Sequence, residues 1–225
     1  MDMEHTEQFM LPSTVSFEDK RLSYSGQNCT RIPEALIKLY GPKVHSLDLS
    51  YNDLVTLKGL GMFSELRELI LDNNQLSDSM QLPQLLHLKT LSLNKNHIKN
   101  LELLLEQVKH QLPSIEYISL LGNFACPNQL SNYENDEEDY QRYRYFVLYH
   151  LPNLKFLDSK GVTEEERREA RRRGQFMNIV TPSAFFDRRV DVNINLNDIC
   201  SRDNFKYSPL PRALRSPEDY KGRYH

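Results

Sequence analysis

Along residues 44–125 the apolar positions return four times in one frame: Val44, Leu47, Leu49 and Leu54; Leu66, Leu69, Leu71 and Leu76; Leu88, Leu91, Leu93 and Ile98; Ile115, Ile118, Leu120 and Ala125. A polar residue travels with them, as Asn52, Asn74, Asn96 and Asn123. The pair Leu-x-Leu sends two side chains to one side of a short strand and the residue between them to the other. Each unit therefore predicts a strand with one buried and one displayed stripe. The asparagine falls where the chain turns out of the strand and leaves backbone groups without ladder partners, and its amide offers both donors and an acceptor to them.

Asn52, Asn74 and Asn96 lie 22 residues apart, and Asn123 a further 27. This period predicts a leucine-rich repeat array. The fold class is α/β: a solenoid with a short curved parallel sheet, a helical or irregular convex side, and the four asparagines stacked as a structural ladder. The longer last interval takes an amphipathic helix over residues 101–112, apolar at 101, 104, 105, 108 and 112 and closed by Pro113. Upstream, Leu22, Tyr24, Gln27, Cys29 and Ile32 fit the frame as a degenerate first coil, with Gln27 in the ladder position. A terminal repeat meets water on its outer side, so departure from the pattern is what capping requires. Residues 33–40 read as a short helix between Pro33 and Gly41-Pro42.

The ends differ from the array. Residues 1–15 are polar and aperiodic, a flexible leader. Residues 126–163 read as a C-terminal cap of the repeat domain, which spans 16–163. In it an acidic run at 135–139 opens a helix through Tyr140, Tyr143, Val147 and Leu148, and residues 151–158 return a strand to the repeat frame. Those carboxylates offset a helix macrodipole, and no metal site is expected. Residues 164–174 read as a charged, solvated helix: Thr163 and Glu166 have capping-box spacing, Arg171, Arg172 and Arg173 fill its last turn, and Gly174 ends it. Residues 175–225 contain Pro182, Pro209, Pro211 and Pro217 and no repeat, so they read as a mostly disordered tail. Phe185, Phe186, Tyr207, Tyr220 and Tyr224 are candidate tail motifs, which either order on a partner or pack back on the domain.

Composition narrows the function classes. A net charge of −3 over 225 residues leaves no global basic field for direct contact with nucleic acid. Three dispersed cysteines make a poor disulfide framework, so a cytoplasmic chain is expected. No apolar run approaches the length of a membrane span. Motifs of phosphate loops, metalloproteases and serine hydrolases are absent, and the seven histidines lie apart, so neither catalysis nor a cofactor is expected.

Tyr145-Phe146-Val147, then Leu151-Pro152-x-Leu154-x-x-Leu157-Asp158 and Val162-Thr163, resembles the C-terminal cap of the SDS22-like leucine-rich repeat family. That family includes the spliceosomal A-prime protein, acidic nuclear phosphoproteins and dynein-associated proteins. The resemblance covers about residues 20–165 and implies a monomeric protein-binding scaffold with no activity of its own. With the N-terminal stretch and the long tail included, the resemblance extends to a pigment-cell member of the family. It then implies a role in melanocyte differentiation, with a Rab-type small GTPase and endosomal recycling machinery as partners, and recruitment to melanosome or endosome membranes through them. The spliceosomal relative implies a second reading, a ribonucleoprotein scaffold that grips an RNA-binding domain.

If the Leu-x-Leu side chains point inward, the concave face must be built from the residues between and beside them. Its candidate partner-binding residues are Asp48, Tyr51, Glu68, Ile70, Asp72, Lys95, Tyr117 and Leu121. Ile70, Tyr51, Tyr117 and Leu121 are expected to stand in solvent among small polar groups, a mixture typical of binding interfaces. Asp48, Glu68 and Asp72 would favour a partner that presents Arg or Lys.

Overall fold

A computed structural model describes residues 15–127 and 137–177. Residues 1–14 of the leader, the stretch 128–136 and residues 178–225 of the tail, with Phe185, Phe186, Tyr207, Tyr220 and Tyr224, lie outside the described residues.

Eight short strands follow one another across a sheet in chain order. They are β1 (Ser16–Glu18), β2 (Arg21–Ser23), β3 (Ser46–Asp48), β4 (Glu68–Ile70), β5 (Thr90–Ser92), β6 (Tyr117–Ser119), β7 (Phe156–Leu157) and β8 (Lys160–Gly161). From β2 to β7 the pairing is parallel, with Leu22, Leu47, Leu69, Leu91, Ile118 and Leu157 in one register. All six are buried, and each such burial stabilises the fold by about 1.5–3 kcal/mol. The degenerate first coil and the strand of the cap thus join the array as β2 and β7.

Both sheet edges are closed by antiparallel strands, β1 on β2 and β8 on β7. An unpaired parallel edge would offer its amides to another chain, and covering it with strands of two or three residues leaves only a short edge. The β1–β2 turn uses Asp19 and Lys20 at φ 47° and 64°. Such a left-handed pair suits a tight hairpin.

The asparagines stitch each coil to the one before. Asn74 Nδ2 donates to Leu49 O and Leu71 O, both at 3.0 Å, while its Oδ1 accepts from Leu54 N at 2.9 Å. Asn96 repeats this with Leu71 O, Leu93 O and Leu76 N, and Asn123 with Leu93 O, Leu120 O and Ile98 N. Asn52 Nδ2 reaches Tyr24 O at 2.8 Å. At the ladder position of the first coil, the longer Gln27 side chain donates to Ser25 O, and its backbone N–H donates to Asn52 Oδ1. The residue before each asparagine is left-handed, with φ 55° at Tyr51, 54° at Asn73, 51° at Lys95 and 77° at Gly122.

Four helices complete the described part: α1 (Glu34–Tyr40), α2 (Leu101–Gln111), α3 (Glu137–His150) and α4 (Glu164–Arg173). Asn100 caps α2 by accepting from Leu103 N. At the start of α3, Glu137 pairs with Lys160, and Glu138 and Asp139 with Arg142. The expected capping box on α4 is present. The expectation that α4 is solvated holds only for its outer side. Ala170 is buried, Glu166 engages buried Arg144, and Arg167 donates to the carbonyls of Pro152 and Leu154. Where it ends, a Cβ on Gly174 would stand 2.7 Å from Tyr145 O. The charge pattern of α4 does not reveal this, because the groups that receive Glu166 and Arg167, the Arg144 side chain and the Pro152 and Leu154 carbonyls, lie on other segments of the chain.

At the far edge of the array Asp158 is buried and accepts from Leu120 N at 2.9 Å and Tyr140 Oη at 3.0 Å. It supplies to β6 the acceptor that a further strand would have offered. Burial raises its pKa above the ordinary carboxylate value, against the pull of those hydrogen bonds.

Candidate protein-binding face

With the strand leucines inward, the residues between them form the open face of the sheet. The first stripe across it is Ser46, Glu68, Thr90, Tyr117 and Phe156, and the second is Asp48, Ile70, Ser92 and Ser119. The stripes are set by register alone, since neighbouring parallel strands hold equivalent residues about 4.8 Å apart.

The centre of this face is a buried polar seam. Asp72 Oδ1 accepts from Ser92 Oγ at 2.7 Å and Asn94 N at 2.8 Å, and its Oδ2 accepts from Asn94 Nδ2 at 3.2 Å. Asn94 Oδ1 in turn accepts from Ser119 Oγ at 2.6 Å and Leu121 N at 2.8 Å. The seam spends its polar groups on the fold.

Two of the sequence-based site residues therefore change role. Asp72 is 2% exposed and Tyr117 only 3%. Tyr117 was expected to stand in solvent, but burial raises its hydroxyl pKa well above the ordinary value, and the hydroxyl bonds to Ser119. The frame correctly places both on the face. It cannot show how deeply the folded chain buries them.

The other candidates remain open or half-open. Tyr51 is 62% exposed, Lys95 is exposed, and Asp48, Glu68, Ile70 and Leu121 are half-buried. Asp48 accepts from Ser50 N at 2.9 Å. Glu68 takes a hydrogen bond from Ser46 Oγ at 2.6 Å and lies 3.8 Å from Arg21, while its Oε1 is buried with no hydrogen-bond partner. Phe156, half-buried at the end of the first stripe, belongs with them and was missed. Its place two residues after Leu154 was legible, but the shortened cap strand drew no notice.

The cavity bounded by Met80, Ile98 and Leu104 measures about 10 Å³, room for a single water. Among the described residues no group of three His, Cys, Asp or Glu side chains could hold a metal ion, and no helix is long and apolar enough to cross a membrane.

Comparison with known proteins adds the following. A family model described as Leucine-rich repeat matches residues 18–178. The leucine-rich melanocyte differentiation-associated protein of Homo sapiens is 52% identical over 167 residues, which covers 74% of this chain and 79% of that one. The U2 small nuclear ribonucleoprotein A' of Candida albicans is 33% identical over 129 residues, 56% of this chain and 49% of its own. This chain thus spans about half of that relative. Among solved structures, a chain of the Drosophila melanogaster SNF/U2A' complex superposes with a TM-score of 0.52 at 24% identity, covering 69% of this chain and 84% of that one.

Proposed function

Because the chain belongs to the leucine-rich repeat family, we propose that it is a non-enzymatic protein-binding adaptor that receives its partner on the open face of the sheet. One observation carries this reading. Ile70 and Phe156 stand in the two stripes of the open face with the Asp48 and Glu68 carboxylates, Tyr51 and Lys95 are exposed just past their strands, and the polar groups of the seam at Asp72 and Asn94 are hydrogen-bonded within the fold. Such a face binds without having to unfold. The half-buried Asp48 and Glu68 carboxylates favour a partner that presents Arg or Lys over this face.

The similarity to the melanocyte protein supports a role in melanocyte differentiation. On this reading the face takes a Rab-type small GTPase, and residues 175–225 take endosomal recycling machinery. A second reading follows from the U2 A' relatives: a scaffold that holds an RNA-binding domain. Quantitative affinity capture from pigmented cells separates them, comparing the full chain with Ile70→Asp. Enrichment of a GTPase, lost with Ile70→Asp, supports the first reading, and enrichment of splicing proteins the second. Equal capture by both forms would remove the face as the interface.

A further inference from the structure

Two residues before each strand leucine stands a row that the apolar frame does not single out: Lys20, His45, Arg67, Lys89, Glu116 and Lys155. Backbone bonds hold the row in register. His45 N donates to Lys20 O at 2.9 Å, and Arg67 N to His45 O, Lys89 N to Arg67 O, Glu116 N to Lys89 O and Lys155 N to Glu116 O, each at 2.8 Å. Side chains touch along it as well, with Lys89 and Lys155 at 3.4 and 2.9 Å from the Glu116 carboxylate. Lys20, Arg67, Lys89 and Lys155 are all exposed, and neither Lys20 nor Arg67 has an ion pair among the described residues.

The row itself thus holds four cations against one carboxylate, with Glu65 beside it close enough to act on His45, in a chain of net charge −3. His45 reports this field. Burial lowers its pKa first, and then Lys20 and Arg67 push it further down against Glu65.

Resting on the reading of the open face as a protein interface, we propose that this edge receives an extended acidic segment of the partner protein. Strands about 4.8 Å apart place Lys20 and Lys89 roughly 14 Å from each other, the span of four to five extended residues at about 3.3 Å each. Carboxylates on one side of such a segment recur about every 6.6 Å, a mismatch that long Lys and Arg side chains absorb. The neighbouring face carries Asp48 and Glu68, so the full surface is bipolar, and it selects a partner with cations over the face and anions over the edge. A nucleic acid suits it less. Its phosphates would meet those carboxylates, and the row offers no aromatic side chain for base stacking.

The test uses the full chain and fluorescently labelled oligoglutamate, read by anisotropy at low salt, with oligouridine as competitor. The expected result is binding that falls at least about tenfold in Arg67→Glu with Lys89→Glu, stays unchanged in Ile70→Asp, and weakens with salt. Arg67→Ala with Lys89→Ala provides a milder pair should the charge reversal disturb folding. The His45 pKa, followed by NMR, should rise as the peptide docks. Equal peptide binding by wild type and both edge pairs overturns the proposal, as does tighter binding of oligouridine than of oligoglutamate. Failure of the face reading looks different: partner capture unaffected by Ile70→Asp.

Discussion

The guanidinium of Arg144 meets the carboxylate of Glu166 at 2.6 Å through Nε and 3.1 Å through Nη2, fastening α4 to α3. Arg144 also donates to Leu157 O at 2.9 Å, which ties the pair to β7. Its side chain is 2% exposed, so the cation depends on these partners. Removing one member of a buried pair is far costlier than replacing both.

Glu166→Gln should therefore lower stability by about 3 kcal/mol in urea unfolding, against a change within about 0.5 kcal/mol for the exposed-side control Glu165→Gln. The pH dependence has a definite sign. Burial would raise the Glu166 pKa, but the bonds from Arg144 and the Thr163 backbone outweigh it, so the folded value is depressed. Stability from Glu166 is then fully present above the unfolded Glu pKa of about 4.3 and is lost as pH falls through the folded value. The gap between wild type and Glu166→Gln should be widest at neutral pH and shrink below about pH 4. A gap that stays constant down to pH 2 would contradict the pair's role.

Asn74→Ala strips the ladder at its centre. The change leaves the buried Leu54 N–H without its acceptor, while the Leu49 carbonyl keeps the bond from Asn52 Nδ2. A buried group left unpaired costs about 1–3 kcal/mol, so a loss of about 2 kcal/mol is expected by chemical denaturation. Gln75→Ala, one residue on and exposed, should change stability by less than about 0.5 kcal/mol.

Tyr117→Ala is a folding variant and not a binding variant. The ring is buried on the face, and deleting it should cost about 3–5 kcal/mol. Tyr117→Phe keeps the ring and loses the bond to Ser119, for about 1 kcal/mol. A Tyr117→Ala protein that melts like wild type would show that the ring is not packed as described.

Tyr51→Gly should separate binding from stability. Tyr51 is held at φ 55° with its ring largely in solvent, so glycine relieves backbone strain while adding unfolded-chain entropy. The melting free energy is expected to stay within about 1 kcal/mol of wild type, while affinity for the face partner falls. A drop of several kcal/mol would mean that the ring packs on the fold.

The repeat frame was legible because Leu-x-Leu and its asparagine obey a fixed period: β3 to β6 and the ladder follow from that, and the helix after Asn100 from the helical spacing of apolar residues inside the longer interval. The hairpin at Asp19 and Lys20 was not, since it adopts left-handed backbone without the glycine that would signal it. Nor was the seating of α4, because whether Glu166 faces solvent depends on where Arg144 lies in space. On the face, period assigned Asp72 and Tyr117 to the correct side, but their burial depends on neighbours in space, such as the Ser92 and Asn94 that bond to Asp72 and the Ser119 that bonds to Tyr117. The left-handed position before each asparagine reads as Tyr51, Asn73, Lys95 and Gly122, and only the glycine betrays it.

Site-specific photo-crosslinking tests the central claim most directly. A photoreactive phenylalanine analogue replaces Ile70 on the open face in one form and Met62, which is 62% exposed and lies outside the strands, in another. Both forms are irradiated in pigmented cells and the crosslinked partners identified. A defined protein partner crosslinked from position 70 and absent from position 62 is the predicted result. The same partner from position 62, with nothing from position 70, would contradict the assignment of the open sheet face as the binding surface.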